Sequence, residues 1–171
     1  MFSNTNVMDV LGTPTKTIVF AEASLAFWSL PPILATQLSG WATMEVAEVI
    51  DAHYREHFQV HDAIVTIHDW SALSNHDPAA RKLLQSLTRE VQAKQRELII
   101  YLGKGDTFVK KIAVTTAETI SRFRRLPTEL ITDASAFEKR LHAMLATYRP
   151  EWLAGTRNST DTPELLNGVR D

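Results

Sequence analysis

The sequence predicts an α/β fold: a single domain with a mixed, mostly parallel central sheet and about four helices. The first observation behind this prediction is a group of short apolar stretches near the start of the chain, which is typical of strands. The second is that strand-like and helical segments alternate after these stretches, as they do when a helix connects two parallel strands. With 171 residues and 44% hydrophobic side chains, the chain can bury one substantial core.

The N-terminal part of the chain is expected to form strands. The apolar stretches cover residues 17–21, 25–30 and 33–38. Pro31 and Pro32 separate the last two stretches, which favours separate strands over one helix. The polar residues 1–15 are expected to be a flexible lead-in and residues 155–171 a mobile tail, which leaves 16–154 as the domain.

Two capped helices are expected next, with a strand between them. Thr43 is suited to the N-cap of the first helix because its hydroxyl can accept a hydrogen bond from an unpaired amide. A buried strand is predicted over residues 63–68. Asp77 is then suited to the N-cap of the second helix and Pro78 to its first position. The apolar side chains of this second helix recur at helical spacing: Ala80, Leu83, Leu84, Leu87 and Val91.

The C-terminal half continues the alternation. Residues 98–102 are an almost continuous apolar run, as in strands that are covered on both faces. A glycine-containing turn leads to a third helix on which Ile112 and Ile120 face inward. After an edge strand at residues 130–131, Ser135 opens the last helix with the pattern of a capping box.

Composition excludes several classes of function. A net charge of −2 gives no general attraction for nucleic acid, so no nucleic-acid partner is expected. The absence of cysteine excludes disulfides, thiolate metal sites and a cysteine nucleophile. No apolar run approaches the roughly 20 residues of a membrane-spanning helix, and no signal-peptide pattern precedes the domain. The expected location is therefore the cytoplasm.

The polar loop between the central strand and the second helix is the candidate binding site. This position is where α/β proteins place binding and regulatory groups. We predict that the loop and the start of the helix contact another protein through Asp69, Trp70, Ser71, Ser74, Asn75, His76, Asp77 and Arg81. Trp70 is expected to be partly exposed, although burial beneath the loop is the alternative for a tryptophan.

Catalysis in this loop is a weaker interpretation. Its serines, aspartates and His76 allow a Ser-His-Asp arrangement, but the Gly-x-Ser-x-Gly nucleophile elbow is missing. Serine, asparagine and aspartate are common in loops because they bond to their own backbone. We therefore predict a protein that is not an enzyme.

Two further patterns are candidate ligand sites. His53, His57 and His61 recur every four residues, which would suit zinc on a helix face, but no His-Glu-x-x-His pattern accompanies them. No metal and no cofactor are predicted. The turn of Gly103, Lys104 and Gly105 precedes a helix and is a candidate for anion binding, although it lacks the spacing of a P-loop.

The order of these elements resembles the STAS domain, the fold of bacterial anti-sigma-factor antagonists and of cytoplasmic modules of sulfate transporters. The resemblance covers about residues 16–149 and includes the turn at Leu38-Ser39-Gly40 and the strand end at Asp69-Trp-Ser-Ala-Leu73. It is strongest to a divergent bacterial branch of unknown function. In that family the loop and helix edge is the contact face for partner proteins.

One departure from the family is informative. The antagonists are switched by phosphorylation of a serine at the start of the helix after the central strand. Here Pro78 and Ala79 occupy that point, while Ser74 lies several residues earlier. The family's phosphorylation switch is therefore not expected.

The resemblance implies a regulatory module for protein interaction, which acts without a phosphorylatable serine. The alternative is a module that binds a small apolar or lipid-like ligand in a cavity between sheet and helices. Phe20, Phe27 and Trp28 favour this alternative because they supply aromatic surface near the first strands. A homodimer is compatible with both interpretations.

Overall fold

A computed structural model describes residues 7–61, 64–104, 111–112, 115 and 127–151. Over these residues the chain forms one sheet of seven strands with helices on both faces. The strands are β1 (Lys16–Val19), β2 (Ala23–Leu30), β3 (Ile33–Ala42), β4 (Ile64–Asp69), β5 (Leu73–His76), β6 (Gln95–Tyr101) and β7 (Thr128–Ile131).

The sheet is mixed and mostly parallel, as predicted. Strands follow in the order β1-β2-β3-β4-β6-β7, and β5 pairs with the end of β3. The two pairs at the start of the chain, β1 with β2 and β2 with β3, are antiparallel. The pairs β3–β4, β3–β5, β4–β6 and β6–β7 are parallel. A helix connects β3 to β4 and another connects β5 to β6, as parallel strands require.

Three α-helices are described over their whole length, whereas the sequence predicted about four. They are α1 (Met44–Val60), α2 (Pro78–Val91) and α3 (Ala134–Tyr148), with short 3₁₀ helices at Val7–Leu11 and Gln92–Lys94. Most of the further helix that was predicted before β7 lies outside the described residues, although Lys111, Ile112 and Thr115 within it are helical.

The helices form two layers with the sheet between them. Alternate side chains of a strand point to opposite faces, so β2, β3 and β4 each supply side chains to the apolar clusters on both faces. One face packs against α3 and the first 3₁₀ helix, with Ile33, Ile67, Ile99 and Phe137 at its centre. The opposite face packs against α1 and α2, with Leu34, Leu38, Ile50, Phe58 and Leu87.

The helix caps agree with the sequence only in part. Thr43 is the N-cap of α1, as predicted, because its side chain accepts from the amide of Val46. The prediction that Ser135 begins the last helix is wrong. Asp133 is the N-cap of α3, and its Oδ1 accepts from the amide of Ala136 at 2.9 Å.

Part of the expected lead-in belongs to the core. Met8 and Leu11, in the first 3₁₀ helix, are completely buried against the α3 face of the sheet. The indole Nε1 of Trp28 donates a 2.8 Å hydrogen bond to the carbonyl of Gly12. The expectation of a flexible segment through residue 15 is therefore wrong from about residue 8 onward. Residues 1–6 and the expected tail at 155–171 lie outside the described residues.

Candidate functional site

The turn after β4 is held by Asp69. Its Oδ2 accepts from Gln37 Nε2 at 2.7 Å, and its Oδ1 accepts from the amide of Ser71 at 2.9 Å. Asp69 is only 2% exposed. The carboxylate therefore fixes the turn to the neighbouring strand, and the prediction that Asp69 contacts a partner has to be corrected.

The predicted loop contains a strand. β5 pairs in parallel with the end of β3, so that Asn75 lies opposite Trp41 and His76 opposite Ala42. Polar residues hide this strand in the sequence because Ser74 and Asn75 point to solvent. The register of this pairing shifts between Gly40 and Trp41. Glycine is needed at position 40 because φ is +88° and a Cβ would lie 2.2 Å from the carbonyl oxygen of Glu22, just before β2.

Asp77 does not cap α2. The helix begins at Pro78, as predicted, but the carboxylate of Asp77 accepts from the indole Nε1 of Trp41 at 3.0 Å and bonds to no other described residue. Pro78 has no backbone N–H group, so the start of α2 has one fewer amide for a cap to satisfy. Because Asp69 and Asp77 are both engaged elsewhere, neither carboxylate orients His76, and the Ser-His-Asp arrangement does not form among the described residues.

A cavity of about 100 Å³ lies between α2, α1 and the sheet. Three of the predicted site residues, Trp70, His76 and Arg81, line it. Most of the other lining side chains are apolar: Leu38, Ala42, Ile50, Leu73, Leu84, Leu87, Val91, Leu98, Ile100 and Ile112. The sequence did not indicate this cavity, because the side chains that form it come from β3, β4, β5, β6, α1 and α2, together with Trp70 and Ile112 outside these elements.

Trp70 is half-buried, which confirms the expected partial exposure. Its amide donates to the carbonyl of Tyr101 at 2.8 Å, and its ring stacks on His68 with centroids 5.3 Å apart. The ring packs against the apolar side chains of the sheet face below α1 and α2. Its contact surface therefore faces the cavity as much as the solvent.

A polar group that the sequence analysis missed borders the cavity. His68 Nδ1 lies 2.8 Å from Thr36 Oγ1 and 3.3 Å from the hydroxyl of Tyr54. Burial lowers the pKa of His68 to about 4 and raises the pKa of Tyr54 above its ordinary range. Both groups are therefore neutral near pH 7. Thr36, on the adjacent strand, comes opposite His68 through the parallel register of β3 and β4.

Arg81 is the charged side chain of the cavity. It is half-buried, its Nε is fully buried, and this side chain has no hydrogen bond or ion pair with any described residue. Gln95 lies on the wall near the other end of α2. Its Nε2 donates to Thr66 Oγ1, but its Oε1 is buried and has no partner among the described residues. Groups of this kind are rare, because each one costs free energy.

The candidate anion site is only partly described. Gly103 has a φ of +65°, and a Cβ there would lie 2.9 Å from the Cβ of Ser71. Close packing therefore accounts for glycine at this position. Lys104 is exposed, and Gly105 lies outside the described residues. Anion binding at this turn stays a prediction.

The histidines of α1 are separated in their contacts. His53 packs on Phe27 and its Nε2 lies 3.3 Å from Ser29 Oγ, whereas His57 packs on His61 with ring centroids 4.7 Å apart. Burial, then the nearby charges of His61 and His53, lower the pKa of His57 to about 4. No group of three or more histidine or carboxylate side chains in the described part of the chain is placed to hold a metal ion.

Comparison with known proteins identifies the fold. The sequence matches no family model and no curated protein. A protein of the DUF3478 family from Shewanella loihica PV-4, which is described as having a SpoIIAA-like fold, superposes with a TM-score of 0.51 at 14% identity, over 74% of this chain and 98% of that one. The chain therefore has a STAS-like fold, as the sequence predicted.

Two other solved structures are similar. The MdcD–MdcE heterodimer of Pseudomonas malonate decarboxylase superposes with a TM-score of 0.51 at 9% identity, over 88% of this chain and 91% of that chain. The anti-sigma-factor antagonist SpoIIAA in its unphosphorylated form superposes with a TM-score of 0.44 at 15% identity, over 74% of this chain and 96% of that chain.

Among the described residues, no helix is both long and apolar enough to cross a membrane.

Proposed function

We propose that this STAS-like domain is a non-enzymatic module that binds a small apolar ligand in the cavity between α2 and the sheet. The observation that carries the proposal is the cavity itself, with a volume of about 100 Å³ and a predominantly apolar lining. Apolar cavities on the order of 150 Å³ bind small apolar molecules because water gains little from filling them.

The size of the cavity narrows the ligand class. Pockets for drug-sized molecules have volumes of roughly 300–1,000 Å³. A cavity of about 100 Å³ therefore suits a single slender group and not a whole lipid with two chains.

The roles of the two aspartates support a function without catalysis. The carboxylate of Asp69 bonds to Gln37 and to the amide of Ser71. The carboxylate of Asp77 bonds to the indole of Trp41, so both aspartates hold neighbouring groups in place and neither activates a nucleophile.

Isothermal titration with 1-octanol tests ligand binding. Ala42 lines the cavity and is 3% exposed, so Ala42→Leu would fill part of it. Ala52 is exposed on α1, and Ala52→Leu is the matched control. We expect saturable binding to the wild type and to Ala52→Leu, and at least tenfold weaker binding to Ala42→Leu. The proposal is wrong if the wild type shows no saturable binding, or if Ala42→Leu binds equally well.

A second candidate function is docking of a partner protein at the edge formed by β5 and the end of β3. Trp41 and Met44 are 36% and 38% exposed there, beside the exposed Ser74 and Asn75. Tryptophan is the side chain most enriched at binding hot spots. We therefore propose Trp41 as the contact residue, whereas the sequence favoured Trp70. Since α2 both covers the cavity and adjoins this edge, a ligand could alter docking by moving α2.

Affinity capture from the native organism tests docking. We expect Trp41→Ser to lose a partner that the wild type retains. Val60→Ser is the control, because Val60 is 74% exposed at the far end of α1. Both variants must first show a wild-type unfolding transition. Identical partner profiles for the wild type and Trp41→Ser would contradict docking at this edge.

A further inference from the structure

The guanidinium of Arg81 differs from three other arginines of the domain. Arg55, Arg140 and Arg149 each form an ion pair with at least one carboxylate. Arg81 forms none with the described residues, although Asp77 lies four positions earlier on the chain, where a helical ion pair would be expected. The carboxylate of Asp77 is held instead by Trp41. The acidic residue nearest to Arg81 in sequence therefore bonds to Trp41 and forms no ion pair with the guanidinium of Arg81.

The burial of Arg81 makes this arrangement costly without a ligand. Its Nε is fully buried at the cavity wall and has no acceptor among the described residues. A buried donor that lacks a partner costs free energy, and the cost is greater when the group is charged. The planar guanidinium matches the two oxygens of a carboxylate, which can accept two parallel hydrogen bonds. A carboxylate in the cavity would therefore satisfy Arg81.

The shape of the cavity indicates what is attached to this carboxylate. The lining includes α2 side chains from Arg81 to Val91, and the intervening Leu84 and Leu87 are apolar. At 1.5 Å per residue, this part of the helix is about 15 Å long. The apolar lining side chains Leu84, Leu87 and Val91 follow Arg81 along this length of α2, and we call the space beside them the slot. A linear apolar chain can lie along the slot with one end at the guanidinium of Arg81.

We infer that the ligand is a linear carboxylate of medium chain length, with its carboxylate on Arg81 and its chain between α2 and the sheet. This inference rests on the proposed function, because it requires the cavity to bind an apolar group. His68 lies on the same wall and is neutral at pH 7, so it leaves the slot without a second charge. The guanidinium of Arg81 is the permanent charge that the slot offers to a ligand.

Calorimetric titration at pH 7 with octanoate, 1-octanol and acetate tests the inference. Octanoate has both the charge and the chain, 1-octanol has only the chain, and acetate has essentially only the charge. We expect the wild type to bind octanoate at least tenfold more tightly than either of the others. Arg81→Gln should remove the preference for octanoate and leave the affinity for 1-octanol unchanged. Lys82→Gln, which removes the adjacent exposed cation, should behave as the wild type.

The outcomes separate this inference from the proposed function. The carboxylate assignment is wrong if the wild type binds octanoate and 1-octanol with equal affinity. It is also wrong if Arg81→Gln keeps the preference for octanoate. In both cases the proposed function, binding of an apolar group in the cavity, would still stand. Acetate binding as tightly as octanoate would overturn the assignment of the chain. If neither eight-carbon compound binds, the proposed function fails as well. Should Arg81→Gln not fold, the comparison of octanoate with 1-octanol on the wild type still decides.

Discussion

The polar residues around the cavity belong to two groups that have different physical roles. Asp69 and Asp77 bond to neighbouring strands or turns and maintain the geometry of the fold. Arg81 Nε and Gln95 Oε1 are buried without a partner among the described residues. Satisfied polar groups stabilise one arrangement of a site, whereas unsatisfied ones are available to a ligand. This difference is why we assign ligand contact to Arg81 and a positioning role to the aspartates.

His68 couples the stability of the domain to pH. In the unfolded chain its pKa has the ordinary value of 6.5, but in the folded protein burial lowers it to about 4. Between these values the unfolded chain binds a proton that the folded protein does not bind. The free energy of unfolding therefore decreases as the pH falls through this window. Each such group contributes at most about 1.4 kcal/mol per pH unit.

We predict that His68→Gln has a weaker dependence of stability on pH than the wild type. Between pH 6 and pH 5 the slope of the unfolding free energy should decrease by about 1 kcal/mol per pH unit. The remaining slope includes His57, whose pKa is also lowered to about 4. Urea unfolding at several pH values measures these slopes. His142→Gln, at an exposed position of α3, is the control and should match the wild type. An unchanged slope in His68→Gln would show that His68 takes up its proton in the folded state.

At the level of elements, the long apolar segments were predictable and the polar one was not. The strands β2, β3 and β4 and the helices α1 and α2 follow directly from apolar periodicity and from the positions of Thr43 and Pro78. β5 was missed because Ser74 and Asn75 are residues typical of loops, and because it pairs with the end of β3, which lies far away in sequence. A strand whose partner lies far away in sequence leaves no local pattern.

The helix starts show the same limit. Asp77 and Ser135 both have the residue type and spacing of an N-cap. In the structure, the carboxylate of Asp77 bonds to Trp41, and Asp133 caps the last helix. Several residues near a helix start can supply a suitable oxygen, so tertiary contacts decide which one does.

The cavity also depends on tertiary contacts. It forms only where α1, α2 and the sheet come together, so no local pattern in the sequence could predict it.

At the level of the whole molecule, the two faces of the sheet are covered in different ways. One face carries α1, α2 and the cavity. The other face is closed by α3 together with the first 3₁₀ helix, whose Met8 and Leu11 are completely buried. A segment that precedes the first strand thus completes the second layer of the core. The close-packed face provides a firm support for the face that contains the cavity.

We therefore predict that the N-terminal segment is required for the stability of the domain. Leu11→Ala should lower the free energy of unfolding by about 2–5 kcal/mol, because it leaves a cavity beneath α3 that the core can refill only in part. Val19→Ala is the matched control: Val19 is 79% exposed on β1, and its change should stay within about 0.5 kcal/mol. Denaturant unfolding measures both changes. If Leu11→Ala were no less stable than Val19→Ala, the segment would add nothing to the core, and the sequence-based expectation of a flexible lead-in would be correct after all.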